Sequence, residues 1–147
     1  MVPMDAANRW QLDLESIPAA VLARSRVLIA NYPNNPTGAV ATLDDLAVLV
    51  EFARRHDLVL LHDLAYSELT FDGYVPPSVF QVPGANAVAV EFHSCSKSFN
   101  MAGMRVGFVV GRADALDALL SIAPTWATGY RCRFSTRQRM RSTTSWS

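Results

Sequence analysis

The chain has 147 residues, a formal net charge of zero, 50% hydrophobic residues and 18% charged residues, a composition typical of one folded domain rather than of a disordered segment. The zero net charge provides no overall basic field for a nucleic acid or a membrane surface, and no apolar run reaches the roughly 20 residues that span a bilayer. The two cysteines, Cys95 and Cys132, form neither a disulfide framework nor a metal-ligand spacing, and residues 1–5 lack the features of a secretory signal, so we expect a cytoplasmic protein without a metal site.

The N-terminal third begins with a short helical segment and a buried strand. Residues 13–24 are predicted to be helical, with Pro18 either in the first turn or breaking the helix. A continuous apolar run closed by a proline predicts a buried strand at 27–31. The asparagine- and proline-rich residues 34–38 then predict a tight turn.

The next elements complete a β–α–β unit. Thr42 and Asp45 form a capping-box-like start, and apolar residues recur behind them at helical spacing, so an amphipathic helix is predicted over 43–55. Its apolar positions are Leu46, Leu49, Val50 and Ala53. Residues 58–62 predict a second buried strand, which in such a unit normally runs parallel to the first.

The second half of the chain predicts two further strands and a helix. Residues 67–85 are mostly loop, 87–93 form a third strand and 94–104 form a polar turn. Residues 105–110 form a fourth strand, and because the connection to it is short for a helical crossover, this strand is expected to be antiparallel. Asp114 is expected to cap the helix that follows.

This order predicts an α/β fold with a mixed, mostly parallel sheet flanked by helices. In such sheets, ligands bind beyond the carboxyl ends of the strands. The residues that follow the first three strands are therefore candidates for chemistry: 31–38, 62–68 and 93–97.

Taken singly, the polar residues in these segments have ordinary structural explanations. Asn35 precedes a proline and is typical of a turn, Asp63 is typical of a cap, and histidines beside strands, such as His62 and His93, are most often packed or hydrogen bonded. Together they form a set that suits an aromatic aldehyde phosphate, which needs an amine for a Schiff base, a carboxylate for its ring nitrogen and polar groups for its phosphate. The set is Asn35, Asp63, Tyr66, Ser94, Ser96, Arg105 and Lys97, the single lysine of the chain.

Three sequence stretches resemble a known family. They are NYPNNPTG at 31–38, HDLAYSEL at 62–69 and HSCSKSFNMAGMRVGF at 93–108. They resemble the class I/II aminotransferases, which are pyridoxal-phosphate enzymes of fold type I. With FDGYVPPS at 71–78 and VPGANAVAVEFHS at 82–94, the chain is most similar to the LL-diaminopimelate aminotransferase branch of that family. The resemblance covers residues 1–123, interpreted as part of the large, cofactor-binding domain.

The resemblance implies a role for each residue of the set. Lys97 is the lysine that forms the Schiff base and moves the substrate proton, and Asp63 is the partner of the pyridine nitrogen. Asn35 and Tyr66 donate to the phenolate oxygen of the cofactor. The phosphate ligands are Ser94, Ser96 and Arg105, while Gly103 and Gly107 act through backbone shape.

The implied activity is amino transfer between an amino acid and a 2-oxo acid, with LL-diaminopimelate and 2-oxoglutarate as candidate substrates. The family subunit is longer than this chain and forms a homodimer, so residues 1–123 are expected to supply only one side of an active site. A non-enzymatic remnant of an aminotransferase gene is therefore an alternative. A hydrolase using Ser94, His93 and Asp63 is a weaker one, because adjacent strand residues point to opposite faces.

The composition changes abruptly at Pro124. Residues 1–123 contain all 13 acidic residues and eight basic ones, whereas residues 124–147 contain five arginines, no acid and no Leu, Ile or Val. Back-translation of 124–147 with GC-rich codons, read one base earlier, gives an acidic, Ala- and Leu-rich segment. We therefore expect residues 124–147 to be a frame-shifted, non-native tail.

Overall fold

The computed structural model describes residue 2, residue 4 and residues 6–126, and within them one four-stranded sheet has the order β1–β2–β3–β4. The strands are β1 (Val27–Asn31), β2 (Val59–Asp63), β3 (Ala89–Ser94) and β4 (Gly107–Gly111). The helices are α1 (Ala19–Leu22), α2 (Leu43–Arg55), α3 (Cys95–Ser98) and α4 (Ala113–Trp126). Single 3₁₀ turns cover Leu14–Ser16, Val79–Gln81, Ala85–Ala87 and Ala102–Met104.

The sheet is mixed and mostly parallel. β1 pairs with β2, and β2 with β3, in parallel, whereas β3 pairs with β4 in antiparallel orientation. The predicted α/β fold, the parallel β–α–β unit and the antiparallel fourth strand are thereby confirmed. All three parallel strands end at one edge of the sheet, which brings the segments that follow them together.

Helix α2 begins and ends where the sequence predicts. The Thr42 side chain accepts a hydrogen bond from the Asp45 amide, and the Asp45 carboxylate accepts one from the Thr42 amide, which forms a complete capping box. The predicted apolar positions are the buried ones: Leu46, Leu49, Val50 and Ala53. They pack with Leu28 and Leu60 in the hydrophobic core, so the helix covers the sheet face that carries these two leucines.

The opposite face of the sheet is open at β1. Val27 and Ile29 alternate along the strand with the buried Leu28 and Ala30. The exposed fraction is 46% for Val27 and 66% for Ile29. Alternation along a strand places the two pairs on opposite faces. Among the described residues, only one face of β1 is therefore covered.

The predicted helix at 13–24 is divided in two. A 3₁₀ turn covers Leu14–Ser16 and α1 covers only Ala19–Leu22. Ile17 is extended, with ψ at 116°, and Pro18 occupies the N-cap of α1. The reason is steric, since a residue before proline disfavours the helical region and proline has no amide hydrogen to donate. Pro18 therefore breaks the helix.

The connection between β3 and β4 is more regular than the polar turn predicted for 94–104. It contains α3 and a 3₁₀ turn at Ala102–Met104. Arg105 follows with a left-handed φ of 51°, so β4 starts at Gly107 rather than at Arg105. A left-handed residue interrupts the extended backbone that a strand ladder requires.

Helix α4 starts at Ala113, so Asp114 lies in its first turn instead of capping it. The helix runs to Trp126, and the predicted frame-shifted tail at 124–147 lies outside the described residues from 127 onward. Among the described residues, no helix combines the length and the hydropathy needed to cross a bilayer.

Candidate active site

The ends of the three parallel strands place Asn31, Asp63 and Ser94 at one edge of the sheet. Asn31 pairs with Asp63 in the β1–β2 register, and Asp63 pairs with Phe92, two residues before Ser94. The Asn31 side-chain nitrogen donates to the Asp63 backbone oxygen at 3.0 Å. This bond joins the two strand ends at the point where their loops begin.

The turn after β1 is held by asparagine side chains and presents Asn35. The Asn31 side-chain oxygen accepts from the Asn35 amide at 3.0 Å, and the Asn34 side-chain oxygen accepts from the Thr37 hydroxyl at 2.7 Å. The Asn34 amide also donates to the Ala39 oxygen at 2.8 Å, which closes the loop. Side-chain oxygens thus accept from the Asn35 amide and the Thr37 hydroxyl, whereas a backbone oxygen accepts from the Asn34 amide.

The turn after β2 carries Asp63 and Tyr66. The Asp63 carboxylate accepts a hydrogen bond from the Ala65 amide at 3.1 Å and remains half-buried. The Leu64 amide donates to the Phe92 oxygen at 2.9 Å, which continues the β2–β3 ladder by one residue. Tyr66 then lies beside an open cleft of about 550 Å³ that Asn35 also lines.

The turn after β3 begins α3 and places Lys97. The Ser94 hydroxyl caps this helix by accepting from the Ser96 amide at 3.3 Å. The Lys97 amine lies 6.0 Å from the centre of the Tyr66 ring, a distance at which a cation is attracted to the ring face. The Ser67 and Ser98 hydroxyls, 3.3 Å apart, join the same two turns. Asp63, Tyr66 and Lys97 therefore belong to one contiguous region.

Arg105 lies beyond this group, between the 3₁₀ turn at Ala102–Met104 and β4. Its guanidinium donates to the Ala102 oxygen at 3.2 Å. Gly107, two residues later, pairs with Ser94, and a Cβ at Gly107 would lie 2.6 Å from the His93 oxygen. Only glycine allows that approach, so the sequence interpretation of Gly107 as a backbone-shape residue agrees with the structure, whereas a Cβ at Gly103 would meet nothing within 4 Å.

The open cleft includes only two of the seven predicted residues. Asn35 and Tyr66 line it, whereas Asp63, Ser94, Ser96, Lys97 and Arg105 lie outside its lining. The remaining lining comes from the turns after β1 and β2: Pro33, Asn34, Pro36, Gly38, Val40, Leu69, Thr70, Phe71, Asp72 and Tyr74. The described residues thus form an open surface rather than an enclosed site.

A buried carboxylate that sequence reasoning missed lies directly behind this region. Glu91 is 1% exposed, and its carboxylate accepts hydrogen bonds from His62 Nδ1 at 3.0 Å and His93 Nε2 at 2.9 Å. It also accepts from the Ser78 hydroxyl at 2.9 Å and the Val79 amide at 2.7 Å. One signal was available, since an acid inside the apolar stretch 87–92 is unusual unless it is paired.

The pKa of Glu91 reflects two opposing effects. Burial acts to raise it, but the hydrogen bonds from His62, His93, Val79 and Ser78 outweigh burial and lower the pKa to about 2. The carboxylate is therefore ionised at neutral pH. The expectation that His62 and His93 are packed or hydrogen bonded is confirmed, and the His93 ring also stacks on Phe108 with centroids 4.4 Å apart.

The same contacts argue against the hydrolase alternative. His93 is bonded to Glu91, the Ser94 hydroxyl accepts from the Ser96 amide, and the Asp63 carboxylate accepts from the Ala65 amide. A nucleophile requires a base within hydrogen-bond reach that is in turn oriented by a third group. These three residues have other partners in the described structure.

The donor set fits pyridoxal phosphate in its chemistry. An amine, a phenol and a half-buried carboxylate occupy neighbouring turns. The aldehyde of the cofactor requires an amine to form a Schiff base, and its ring nitrogen requires a carboxylate to stay protonated. Two hydroxyls follow at the start of α3. Among the described residues, no group of three or more His, Cys, Asp or Glu side chains is arranged to hold a metal ion.

Comparison with known proteins gives a consistent result. The family model described as aminotransferase class I and II matches residues 1–139. The chain is 51% identical over 121 residues to LL-diaminopimelate aminotransferase 2 of Trichormus variabilis and 52% identical over 121 residues to LL-diaminopimelate aminotransferase of Moorella thermoacetica. Each match covers 82% of this chain and 31% of the relative, so the chain spans about a third of the length of these proteins.

Solved structures share the fold. Substrate-bound BacF from Bacillus subtilis superposes with a TM-score of 0.80 at 38% identity, covering 85% of this chain and 32% of that one. A probable N-succinyldiaminopimelate aminotransferase from Thermus thermophilus superposes with a TM-score of 0.78 at 38% identity, covering 85% and 33%.

Proposed function

Because the chain belongs to the class I and II aminotransferase family, we propose that it is part of a pyridoxal-phosphate-dependent transaminase that moves an amino group between an amino acid and a 2-oxo acid. The proposal concerns the whole enzyme, since the chain spans about a third of its relatives. The observation that supports it best is the position of the single lysine. The Lys97 amine lies beside the Tyr66 ring, in the turn next to the one that carries Asp63.

When bound, pyridoxal phosphate supplies an aldehyde that captures amines and a ring that accepts electrons from the substrate α-carbon. In the proposed site, the Lys97 amine holds the cofactor covalently. The Asp63 carboxylate keeps the ring nitrogen protonated, because an adjacent negative charge favours the charged form of a base. Asn35 and Tyr66 donate hydrogen bonds to the phenolate oxygen.

The phosphate is assigned to the groups at the end of β3 and beyond it. Ser94 and Ser96 provide hydroxyl donors, and Arg105 provides a planar guanidinium that can bind two phosphate oxygens at once. In the described structure one nitrogen of the Arg105 guanidinium donates to the Ala102 oxygen, a bond that uses one of its five N–H donors.

The proton transfer is assigned to Lys97. With the cofactor and substrate bound, the Lys97 amine would act as the base that takes the proton from the substrate α-carbon and would then return that proton to the carbon of the cofactor that carried the aldehyde. General-base catalysis of this kind contributes about a hundredfold to ten-thousandfold to the rate. It requires a neutral amine close to its target, and among the described residues no ion pair or hydrogen bond occupies the Lys97 amine.

The substrates and assembly are proposed from the relatives. Several relatives are named LL-diaminopimelate aminotransferase, which supports LL-diaminopimelate as the amino donor. We propose 2-oxoglutarate as the acceptor, in a step of lysine biosynthesis, because the family resemblance implies it. We place this activity in a homodimer, as the family resemblance implies. The two-cysteine composition supports a reduced, cytoplasmic setting.

One observation favours the second candidate, a non-enzymatic remnant of an aminotransferase gene. Of the seven predicted site residues, only Asn35 and Tyr66 line the cleft, which is open to solvent. Transition-state stabilisation depends on preorganised groups in a site that excludes water. The two candidates differ in the gene: a continuous aminotransferase reading frame on both sides of this chain would support the enzyme, and the absence of such a frame would support the remnant.

The proposal is tested by covalent labelling. Pyridoxal phosphate is added to the purified chain, borohydride reduces the imine to a stable secondary amine, and peptide mapping locates the label. We expect the label on Lys97. The matched control is Lys97→Arg, which retains the positive charge but cannot form the adduct. A label confined to the N-terminal amine of both proteins contradicts the proposal.

A further inference from the structure

The Glu91 carboxylate joins two histidines that each precede a residue of the proposed site. His62 is followed by Asp63 at the end of β2, and His93 is followed by Ser94 at the end of β3. Glu91 and His62 are direct partners in the β2–β3 register. One side chain therefore connects the next-to-last residues of two neighbouring strands.

The ionised carboxylate also determines where the two histidines carry their protons. A carboxylate only accepts hydrogen bonds, so both histidine nitrogens that contact it must carry hydrogen. His62 is therefore protonated at Nδ1, and His93 at Nε2. The remaining His62 nitrogen, Nε2, is buried and has no hydrogen-bond partner among the described residues.

Packing alone does not explain a carboxylate at this position. The row across this face of the sheet runs from Ala30 through His62 and Glu91 to Val110, so its outer members are apolar. A buried ion and its partners lose hydration, and well-packed apolar residues are often as stable or more stable in the same place. What the hydrogen bonds of this network add, compared with apolar side chains, is a fixed relative geometry of the groups that they join.

That geometry acts on the opposite side of the strands. Successive side chains of a strand alternate between faces, so Asp63 and Ser94 point away from the histidines that precede them. The β2–β3 register ends at Asp63 with Phe92, and Ser94 is the last residue of β3. One further backbone bond, from the Leu64 amide to the Phe92 oxygen, continues this ladder. Past that bond, the described residues show no backbone bond between the turns that follow β2 and β3, so a side-chain link near the strand ends adds a restraint there.

We infer that Glu91 is a positioning residue of the proposed cofactor site: by bonding both His62 and His93, it holds the ends of β2 and β3, and hence Asp63 and Ser94, at a fixed relative position. The inference rests on the proposed function, because it concerns residues assigned to the cofactor. Glu91 itself touches neither cofactor nor substrate in this scheme. The Ser78 hydroxyl and the Val79 amide complete its coordination from the loop before β3.

The first test needs no cofactor. Long-range ¹H–¹⁵N spectra of the histidine rings report which nitrogen carries hydrogen in the purified chain at about pH 8. We expect His62 to be protonated at Nδ1 and His93 at Nε2. We expect Glu91→Gln to abolish this difference between the two rings. The Nε2-protonated form of both rings in the unsubstituted chain would overturn the inference.

The second test measures the dissociation constant of pyridoxal phosphate by absorbance, with thermal unfolding recorded on the same samples. Glu91→Gln and His93→Ala are expected to weaken cofactor binding about tenfold to a hundredfold, the usual cost of losing a group that orients a ligand-binding residue. His93→Gln should restore most of the affinity, because its amide nitrogen can replace Nε2 as the donor to Glu91. Should Glu91→Gln fail to fold, the His93→Ala and His93→Gln pair decides the question.

The matched control is Ser78→Ala. It removes the hydroxyl that donates to the Glu91 carboxylate and accepts from the Phe80 amide, but it leaves both histidine bonds. Its unfolding temperature should therefore fall while its dissociation constant stays within about twofold of the unsubstituted value. If Ser78→Ala and Glu91→Gln weakened cofactor binding equally, the network would act only through the stability of the fold, and the inference would be overturned. Unchanged affinity in a folded Glu91→Gln would do the same and leave the proposed function intact. Failure of the unsubstituted chain to bind the cofactor would overturn the proposed function, and the positioning role with it.

Discussion

Asn31 donates a hydrogen bond from its side chain to the backbone oxygen of Asp63, 3.0 Å away across the ends of β1 and β2. The same side chain accepts from the Asn35 amide with its oxygen. One amide group therefore joins the strand end that carries the proposed pyridine partner to the turn that carries a proposed phenolate donor. Asn35 and Asp63 belong to the set predicted from sequence, whereas Asn31 does not.

Replacing Asn31 with alanine should destabilise the fold. The change leaves the Asp63 oxygen and the Asn35 amide without their side-chain partner, which typically costs about 1 to 3 kcal/mol. Urea denaturation monitored by circular dichroism gives the free energy of unfolding. Asn86→Ala, at an exposed position, is the control and should change that free energy by less than about 0.5 kcal/mol. Equal effects of the two substitutions would contradict the prediction.

Replacing Thr42 with alanine should also lower the free energy of unfolding. Thr42 accepts from the Asp45 amide at 3.1 Å and donates to the Asp45 carboxylate at 2.7 Å, and loss of such a cap costs about 1 kcal/mol. Thr42→Ser retains the hydroxyl and serves as the matched control. Denaturant midpoints should rank the unsubstituted chain and Thr42→Ser together, above Thr42→Ala. An unchanged midpoint for Thr42→Ala would show that the capping box does not stabilise α2.

Stability should fall in acid because of Glu91. Its pKa of about 2 in the folded chain lies below the ordinary value of 4.5, so the unfolded state binds the proton first. The stabilisation, on the order of 3 kcal/mol, is present above about pH 5 and is lost as the pH falls toward 2. Thermal unfolding temperatures measured between pH 2 and 7 should show this loss.

Two variants separate Glu91 from the other acids in that experiment. Glu91→Gln should be less stable at neutral pH and should show a flatter decline in acid. Glu51→Gln is the exposed control, since Glu51 also has a lowered pKa through its hydrogen bond to Arg54 but is surrounded by solvent that screens the pair. Parallel pH profiles for Glu91→Gln and the unsubstituted chain would contradict the assignment.

The isolated 147-residue chain should not turn over. Its cleft is open and includes only two of the seven predicted residues, and loss of preorganised groups costs orders of magnitude in rate. A coupled assay with several amino donors and 2-oxoglutarate tests this expectation, with a full-length relative as the positive control. Turnover on the order of 1 per second, an ordinary enzyme value, would contradict it.

Resequencing of the gene tests the interpretation of residues 124–147 as frame-shifted. We expect a single-base insertion or deletion near the Pro124 codon whose correction opens an aminotransferase-like frame. The curated relatives match over 121 residues of the chain, so the corrected frame should lengthen that match. An intact gene whose bases encode the arginine-rich segment without such a correction would disprove the frame shift.

Local chemistry explains what could be predicted. Helix α2 was predicted to the residue because Thr42 and Asp45 cap each other and the four apolar positions repeat at helical spacing. Strand β1 could also be predicted, since a short, continuous apolar run that ends at a proline is typical of a buried strand. The start of β4 was misplaced because the left-handed backbone at Arg105 leaves no signal in residue type.

The sequence by itself determined the family, the candidate lysine and the order of strands and helices, because these depend on residues that are close together along the chain. The tertiary structure alone revealed that Glu91 bonds His62, 29 residues away, and that Asn31 bonds Asp63, 32 residues away. Such contacts depend on strand register, which the pairing of β1, β2 and β3 establishes only when the sheet forms. Hydrogen bonding in a buried site then decides that Glu91 is an ionised partner of two histidines rather than an ordinary residue of a strand.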